Sequence, residues 1–319
     1  MDEIISNDNR NCYNEELSAN VNNTLFQELG IVILNYNSFD FTDKLLKNIN
    51  SISQEIRIIV VDNCSTDDSF EKLRNSIDSY STMKLTLIQT KKNNGYASGN
   101  NVGIRFLLNN QGKTKYLAII NPDIEIIDSE NFHKTLEYLS ENKNIGIISG
   151  VQSLDGELSF GWNIPNYMDL ILNKIPILGQ YIRYIQKRKM HFLLMNNNDK
   201  LIRFDVISGC FFISTLKIFD SIGLFDENTF LFFEENILAK KLKTKNLETY
   251  INKDFIYHHN HLHKKKDFKS IVREIDFYNQ SEKYYLANYC GVRNFFLLNI
   301  VSFFHKNTSL RIKSFIQKK

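Results

Sequence analysis

The pattern that most constrains this chain is an alternation of short aliphatic runs with amphipathic stretches over its first 126 residues. Gly30-Ile31-Val32-Ile33-Leu34 leads into Asn35-Tyr36-Asn37-Ser38, and Ile56 to Val61 leads into Asp62-Asn63-Cys64-Ser65-Thr66-Asp67-Asp68. A third run spans Lys84 to Gln89, and a fourth, Tyr116 to Ile120, meets Asn121-Pro122-Asp123. Runs this short and this aliphatic read as strands buried on both faces, as in a parallel sheet. Between them, Phe41, Leu45, Leu46 and Ile49 recur at helical spacing, as do Leu73 with Ile77 and Ile104 with Leu107 and Leu108. Strand and helix in regular alternation predict an α/β fold: a doubly wound, mostly parallel central sheet with helices on both faces. Ligands of such sheets bind at the carboxyl ends of the strands. Asn35, Asp62 and Asp123 all stand there.

Pro122 fixes its own φ and biases Asn121 toward an extended backbone, so Asp123 is presented on a stiff turn. A carboxylate so held can ligate a Mg²⁺-type ion or cap the next segment, and these residues alone leave both open. Asp62 likewise can accept the N3–H of a uracil or thymine base or cap the following helix. The stretch Asn94 to Gly103 has glycines at i, i+4 and i+8, which is not the dinucleotide fingerprint. Its small residues would admit close approach of a sugar or phosphate. Glu234-Glu235 follows an aromatic run at a predicted helix start. There a carboxylate can act as a general base or simply favour the helix macrodipole.

The second half is less regular. Ile145–Val151 and Phe204–Ile213 read as strands, the latter with Gly209 allowing a bulge. Tyr250-Ile251 and Phe255–Tyr257 are shorter extended pieces, and Asn236–Lys245 is a helix. Residues 165–195 read as an irregular basic and aromatic insertion. His258, His259, His261 and His263 cluster without a zinc-site spacing. From Lys283 onward the chain has seven basic residues and no acidic one. The organisation expected is a polar extension over 1–28, a main domain over 29–262 divided at about residue 125, and a basic helical extension over 263–319. A net charge of +3 is too mild to imply nucleic acid, and four scattered cysteines suggest a reducing compartment without structural zinc. No signal-like or membrane-spanning run is seen, so a cytoplasmic protein is expected, one that can touch a membrane surface.

In order, these motifs resemble family 2 glycosyltransferases of the GT-A fold, especially their bacterial rhamnosyltransferase-like branch. Ile31 to Asn37 is similar to the family's opening strand, and Val60 to Asp67 to its base-binding turn. Asn94-Gly95-Tyr96-Ala97-Ser98-Gly99-Asn100-Asn101-Val102-Gly103 is similar to its NxGfaxGnNxG segment, and Asn121-Pro122-Asp123 stands where its DxD motif falls. Gly209-Cys210-Phe211-Phe212, Gly223 to Glu227 and Phe230 to Glu235 are similar to its acceptor-side motifs. The resemblance implies inverting transfer of rhamnose or another hexose from a nucleotide diphosphate sugar, UDP- or dTDP-linked. The acceptor would be a glycan or lipid-linked hydroxyl in surface polysaccharide synthesis.

On that resemblance the nucleotide-sugar site comprises Asn35, Asn37, Asp62, Asn63, Ser65, Asn94, Gly95, Gly99, Asn100 and Asn121. Asp123, with His259 or His261, would hold Mg²⁺ or Mn²⁺. Glu235, with Glu234 beside it, would supply the base, and Gly209, Cys210 and Asp226 would lie on the acceptor side. The sequence departs from the family in Asn121 for the first Asp, Glu235 for an Asp, and Ile237 at the next acidic position. A nucleotidyltransferase would want a Gly-rich, basic loop after the first strand, where Asn35-Tyr36-Asn37-Ser38 stands instead. A non-catalytic partner of another transferase is the remaining alternative.

Overall fold

The computed structural model describes residues 3–6, 24–260 and 267–317. Its first half contains β1 (Glu3–Ser6), α1 (Thr24–Gln27), β2 (Leu29–Asn35), α2 (Phe39–Ile52) and β3 (Arg57–Asp62). These are followed by α3 (Ser69–Ser76), β4 (Lys84–Gln89), α4 (Tyr96–Asn109) and β5 (Tyr116–Ile120). Then come β6 (Ile124–Ile126), α5 (Ser129–Glu141), β7 (Ile145–Leu154), β8 (Glu157–Ser159), α6 (Tyr167–Lys174) and α7 (Pro176–Asn196). The rest is β9 (Leu201–Phe204), β10 (Phe211–Thr215), α8 (Leu216–Ser221), α9 (Glu234–Thr244), β11 (Glu248–His259), α10 (Phe268–Tyr289) and α11 (Phe296–Gln317).

The described strands form one 11-stranded sheet with the main path β1-β4-β3-β2-β5-β10-β7-β11-β6. β4, β3, β2 and β5 are parallel, as the alternation predicts. Period-two alternation of side chains then assigns the two faces. Ile31, Ile33, Ile58 and Val60 pack with Leu45 of α2, Leu73 of α3 and Leu136 of α5. Val32, Ile59 and Val61 pack with Ile104 of α4, Phe219 of α8 and Leu242 of α9. A third, helical cluster joins Leu170, Ile237, Tyr285 and Leu298 from α6, α9, α10 and α11. No helix among the described residues is long and apolar enough to cross a membrane.

Four local readings change. Within the N-terminal extension, Glu3–Ser6 is an antiparallel edge strand on β4, whose outer backbone groups would otherwise lack partners. The insertion at 165–195 is helical. Asn166 and Asp169 form a capping box for α6, and Pro176 sits in the first turn of α7, where its missing N–H costs nothing. The run Phe204–Ile213 is divided, because β9 pairs with β11 while β10 inserts between β5 and β7. Conversely, Tyr250-Ile251 and Phe255–Tyr257 belong to one strand, β11, with an irregularity between Asn252 and Ile256.

Candidate active site

Three strand pairings assemble the site. β10 pairs with β5 so that Phe211 faces Ile120, which brings Cys210 beside Asn121; the Asn121 amide donates to the Cys210 carbonyl at 2.7 Å. β11 pairs with β6 so that His259 faces Ile124, beside Asp123. β7 runs parallel to β11 with Gln152 opposite Tyr257. The result is a polar chain. His259 Nε2 lies 3.1 Å from Asp123 Oδ2, and its Nδ1 lies 2.9 Å from the Gln152 amide nitrogen. Gln152 Oε1 in turn accepts from the buried Cys210 thiol at 3.4 Å. Burial pulls the His259 imidazole down, but Asp123 and the Cys210 sulfur outweigh it and hold it up at about 10. A cation bound at this pair would displace that proton.

Asp123 and His259 offer one carboxylate and one imidazole. Among the described residues no group of three or more His, Cys, Asp or Glu side chains forms a metal cluster. Two protein donors suit an ion of the Mg²⁺ or Mn²⁺ type, which takes further oxygens from substrate phosphates and water. His261 lies outside the described residues.

On the other side of the same turn, the Gly209 amide donates to Glu235 Oε1 at 3.2 Å, and the Tyr96 hydroxyl donates to the Gly209 carbonyl at 2.6 Å. Phe232 and Phe233, immediately before α9, have φ of +74° and +68°. Left-handed backbone at a non-glycine costs on the order of 1–3 kcal/mol per residue, so this turn is held against strain. It aims Glu235 into a cavity of about 880 Å³ that Gln152, Trp162, Asn236 and Tyr278 also line. Burial pushes the Glu235 carboxyl up. Glu234 is raised to about 8 by burial and then by the charge of Glu235. Glu234 is buried and does not line the cavity, so of the two carboxylates only Glu235 faces it.

The nucleotide-side residues fall into two groups. Asn35 and Asp62 have no exposed surface. Asn35 Nδ2 donates to Asp62 Oδ2 at 2.7 Å, and the Ser65 amide and hydroxyl donate to the same carboxylate at 2.9 and 2.6 Å. Both side chains therefore organise the turn, and neither is accessible in this structure. Asn63 is buried too, donating to Asn93 Oδ1 and the Gly95 carbonyl. Asn37, Ser65, Asn94, Asn121 and Asp123 retain accessible surface. Asn37, at φ +53°, accepts from the Thr66 amide and so knits two strand ends together.

The glycines of the 94–103 segment are spent on packing. A Cβ on Gly99 would meet Leu34 at 2.4 Å and one on Gly103 would meet Val32 at 2.6 Å, so these glycines let α4 lie on β2. Gly95, at φ +91°, is pressed against the Phe230 carbonyl. Asn100 is buried, its amide on the Tyr96 carbonyl. Of the acceptor-side residues, Gly209 and Cys210 join the two halves of the site. Asp226 does not, because its Oδ2 is taken by the Tyr284 and Tyr289 hydroxyls of α10.

Sequence reasoning missed Gln152, Trp162, Tyr96 and Tyr36. Gln152 is the polar residue that follows the aliphatic run ending at Val151, a signal akin to that of Asn35 and Asp62, although β7 continues past it to Leu154. Trp162 donates to Asn236 Oδ1 at 3.0 Å and walls the cavity. Tyr36 is an exposed aromatic at the end of β2, 42% accessible, offering a face on which a base can stack.

A mixed sheet, parallel from β4 to β5 and antiparallel at β10, with helices on both faces and this polar site at the carboxyl ends of the parallel strands, defines a GT-A-type fold. The model of glycosyl transferase family 2 matches residues 30–220, more than half of the chain. The chain belongs to that family and is a glycosyltransferase, which sets the nucleotidyltransferase alternative aside. No curated protein matches it. Among solved structures it is similar to the mannosyltransferase PcManGT from Pyrobaculum calidifontis in complex with GDP-Man and Mn²⁺. That match has 12% identity and a TM-score of 0.55, covering 89% of this chain and 69% of that one. It is also similar to GalNAc-T7 with UDP, GalNAc and Mn²⁺, at 12% identity and a TM-score of 0.56 over 87% of this chain and 54% of that one. Likeness at this identity concerns the fold.

Proposed function

We propose that the protein is an inverting hexosyltransferase of the rhamnosyltransferase-like branch. It moves rhamnose or another hexose from a UDP- or dTDP-linked donor to a hydroxyl of a glycan or lipid-linked acceptor, in surface polysaccharide synthesis. Residues 29–262 act as the transferase unit and 263–319 as a helical extension. The acceptor lies at the cytoplasmic face of a membrane, and no nucleic acid takes part. The observation that carries this reading is the Gly209-Cys210 turn. Its carbonyl holds the Asn121–Asp123 turn while its amide holds Glu235, so a donor site and a base share one piece of backbone.

The donor diphosphate lies against Asn121 and Asp123, with the base over Tyr36, Asn37 and Ser65 and the turn kept in shape by Asp62. Asp123 and His259 would hold Mg²⁺ or Mn²⁺, which when bound offsets the charge growing on the leaving diphosphate. The metal and nucleotide sugars named for PcManGT and GalNAc-T7 support this. Glu235 takes the proton of the acceptor hydroxyl. The hydroxyl oxygen bonds to the anomeric carbon as the bond to the diphosphate breaks, and the configuration inverts. One base suffices, and burial, which pushes the Glu235 carboxyl up, makes its carboxylate a stronger proton acceptor than an exposed one.

The test is nucleoside diphosphate release from a panel of UDP-, dTDP- and GDP-sugars with Mn²⁺, for the wild type and Asp123→Ala. Turnover of one donor that Asp123→Ala abolishes is the expected result. If no donor binds or turns over, and the substitution changes nothing, the protein is a non-catalytic partner instead.

A further inference from the structure

Helix α7 has two different faces. Arg183, Gln186, Lys187 and Met190, at i, i+3, i+4 and i+7, line the cavity that receives Glu235. On the opposite face Ile177, Tyr181, Tyr184, Ile185 and Phe192 are exposed, Ile177 at 86%. Arg188 and Lys189 are interleaved with them, and the Arg188 guanidinium lies 5.8 Å over the Tyr184 ring. Only Leu194 is buried among the described side chains of this 21-residue helix, too little to support so long an element by packing. Helix α11 repeats the pattern. Leu298 and Ser302 face the protein, while Phe296, Leu297, Ile300, Phe303 and Phe304 share an exposed stripe. Helix α6 packs against both α7 and α11.

Neither α7 nor α11 contains an acidic residue. A second copy of the chain would bring like charges together on α7, whereas an anionic lipid surface complements them. Aromatic and aliphatic side chains mixed with Arg and Lys are the composition of helices that lie in the headgroup region. We infer that the outer faces of α7 and α11 seat the protein on an anionic phospholipid bilayer, with α7 as both the membrane contact and the roof of the acceptor cavity. This rests on the reading of a lipid-linked acceptor above and names the surface that meets it. It brings the cavity to within one helix diameter, roughly 10 Å, of the headgroups.

The experiment is co-sedimentation of the full chain with vesicles of phosphatidylcholine alone or mixed equally with phosphatidylglycerol. Binding to the mixed vesicles should be about tenfold or more tighter, as expected for several basic residues near an anionic surface. Three paired variants are compared: Tyr181→Glu with Phe192→Glu, Phe296→Glu with Phe303→Glu, and the milder Arg188→Gln with Lys189→Gln. Each pair should weaken binding several-fold while circular dichroism and donor turnover without vesicles stay at wild-type values. Equal binding to both vesicles, no binding, or binding untouched by all three pairs overturns the inference. So does a dimer in sedimentation equilibrium that the same variants dissociate. Donor turnover without vesicles separates the failures: its absence removes the transferase reading, and its presence without vesicle binding removes only the docking face.

Discussion

On the proposed mechanism, one side chain, Glu235, decides the chemistry. Glu235→Gln keeps the shape and the Gly209 contact but cannot take a proton. It should lower kcat roughly 10²–10⁴-fold, the usual span of general-base catalysis, while calorimetry shows donor affinity unchanged. Loss of donor affinity instead would show that the carboxylate belongs to the donor site. Glu234 behaves differently, because it is buried and carries no assigned chemistry. Folded, its carboxyl holds a proton up to about 8, against an ordinary value of 4.5. Between those values the folded chain binds more protons than the unfolded chain, so stability falls as pH rises through that window. Urea midpoints measured across it should decline in the wild type and decline less steeply in Glu234→Gln, where the raised Glu235 carboxyl remains.

At the scale of elements, the loop before α4 is fastened to the aromatic turn before α9. A Cβ on Gly95 would lie 2.1 Å from the Phe230 carbonyl oxygen, on backbone that other residues rarely adopt. Gly95→Ala should therefore cost more than about 1 kcal/mol in chemical denaturation. It should also lower kcat, because the Tyr96 amide bond to Phe230 is lost and the turn carrying Glu235 shifts. Unchanged stability and rate would sever this link. The elements also show what sequence can reveal. β2 to β5 were legible because each parallel strand announces itself locally, as an aliphatic run with a polar end. β10 and β11 were misjudged at their boundaries because their limits are set by distant partners: β6 pairs with β11 from more than a hundred residues away. The site divides the same way. The places of Asp123 after β5 and of Glu235 in the first turn of α9 were legible from strand and helix ends, and their proposed roles only from the family resemblance. The enclosure of Asn35 and Asp62, the packing role of Gly99 and the link from Gln152 to His259 depend on which side chains meet, and spacing does not encode that.

In the whole molecule, one buried ion pair fastens the helical cluster to itself. The Lys174 ammonium reaches Glu282 at 2.6 Å, Asn279 at 2.9 Å and Ser302 at 2.8 Å, joining α6, α10 and α11. The Lys174 and Glu282 side chains are 4% and 0% exposed. Lys174→Met leaves Glu282 buried without its counter-charge and should cost roughly 3–5 kcal/mol, seen as a lower denaturation midpoint and faster amide exchange in α10 and α11. Adding Glu282→Leu should restore most of the loss. A single variant as stable as the wild type would mean that the helices hold without the pair. The contact between Gly95 and Phe230 bears on how such an enzyme can be recombined. The segments proposed to handle donor and acceptor are interlocked through main-chain atoms, so on that reading the enzyme is not a modular pair of halves. A chimera cut between residues 95 and 230 would unite two turns that did not evolve against each other, and would be expected to misplace its base even when both parents are active. Exchange of donor preference is then best attempted by surface substitutions at Tyr36, Asn37 and Ser65, which leave that interlock intact.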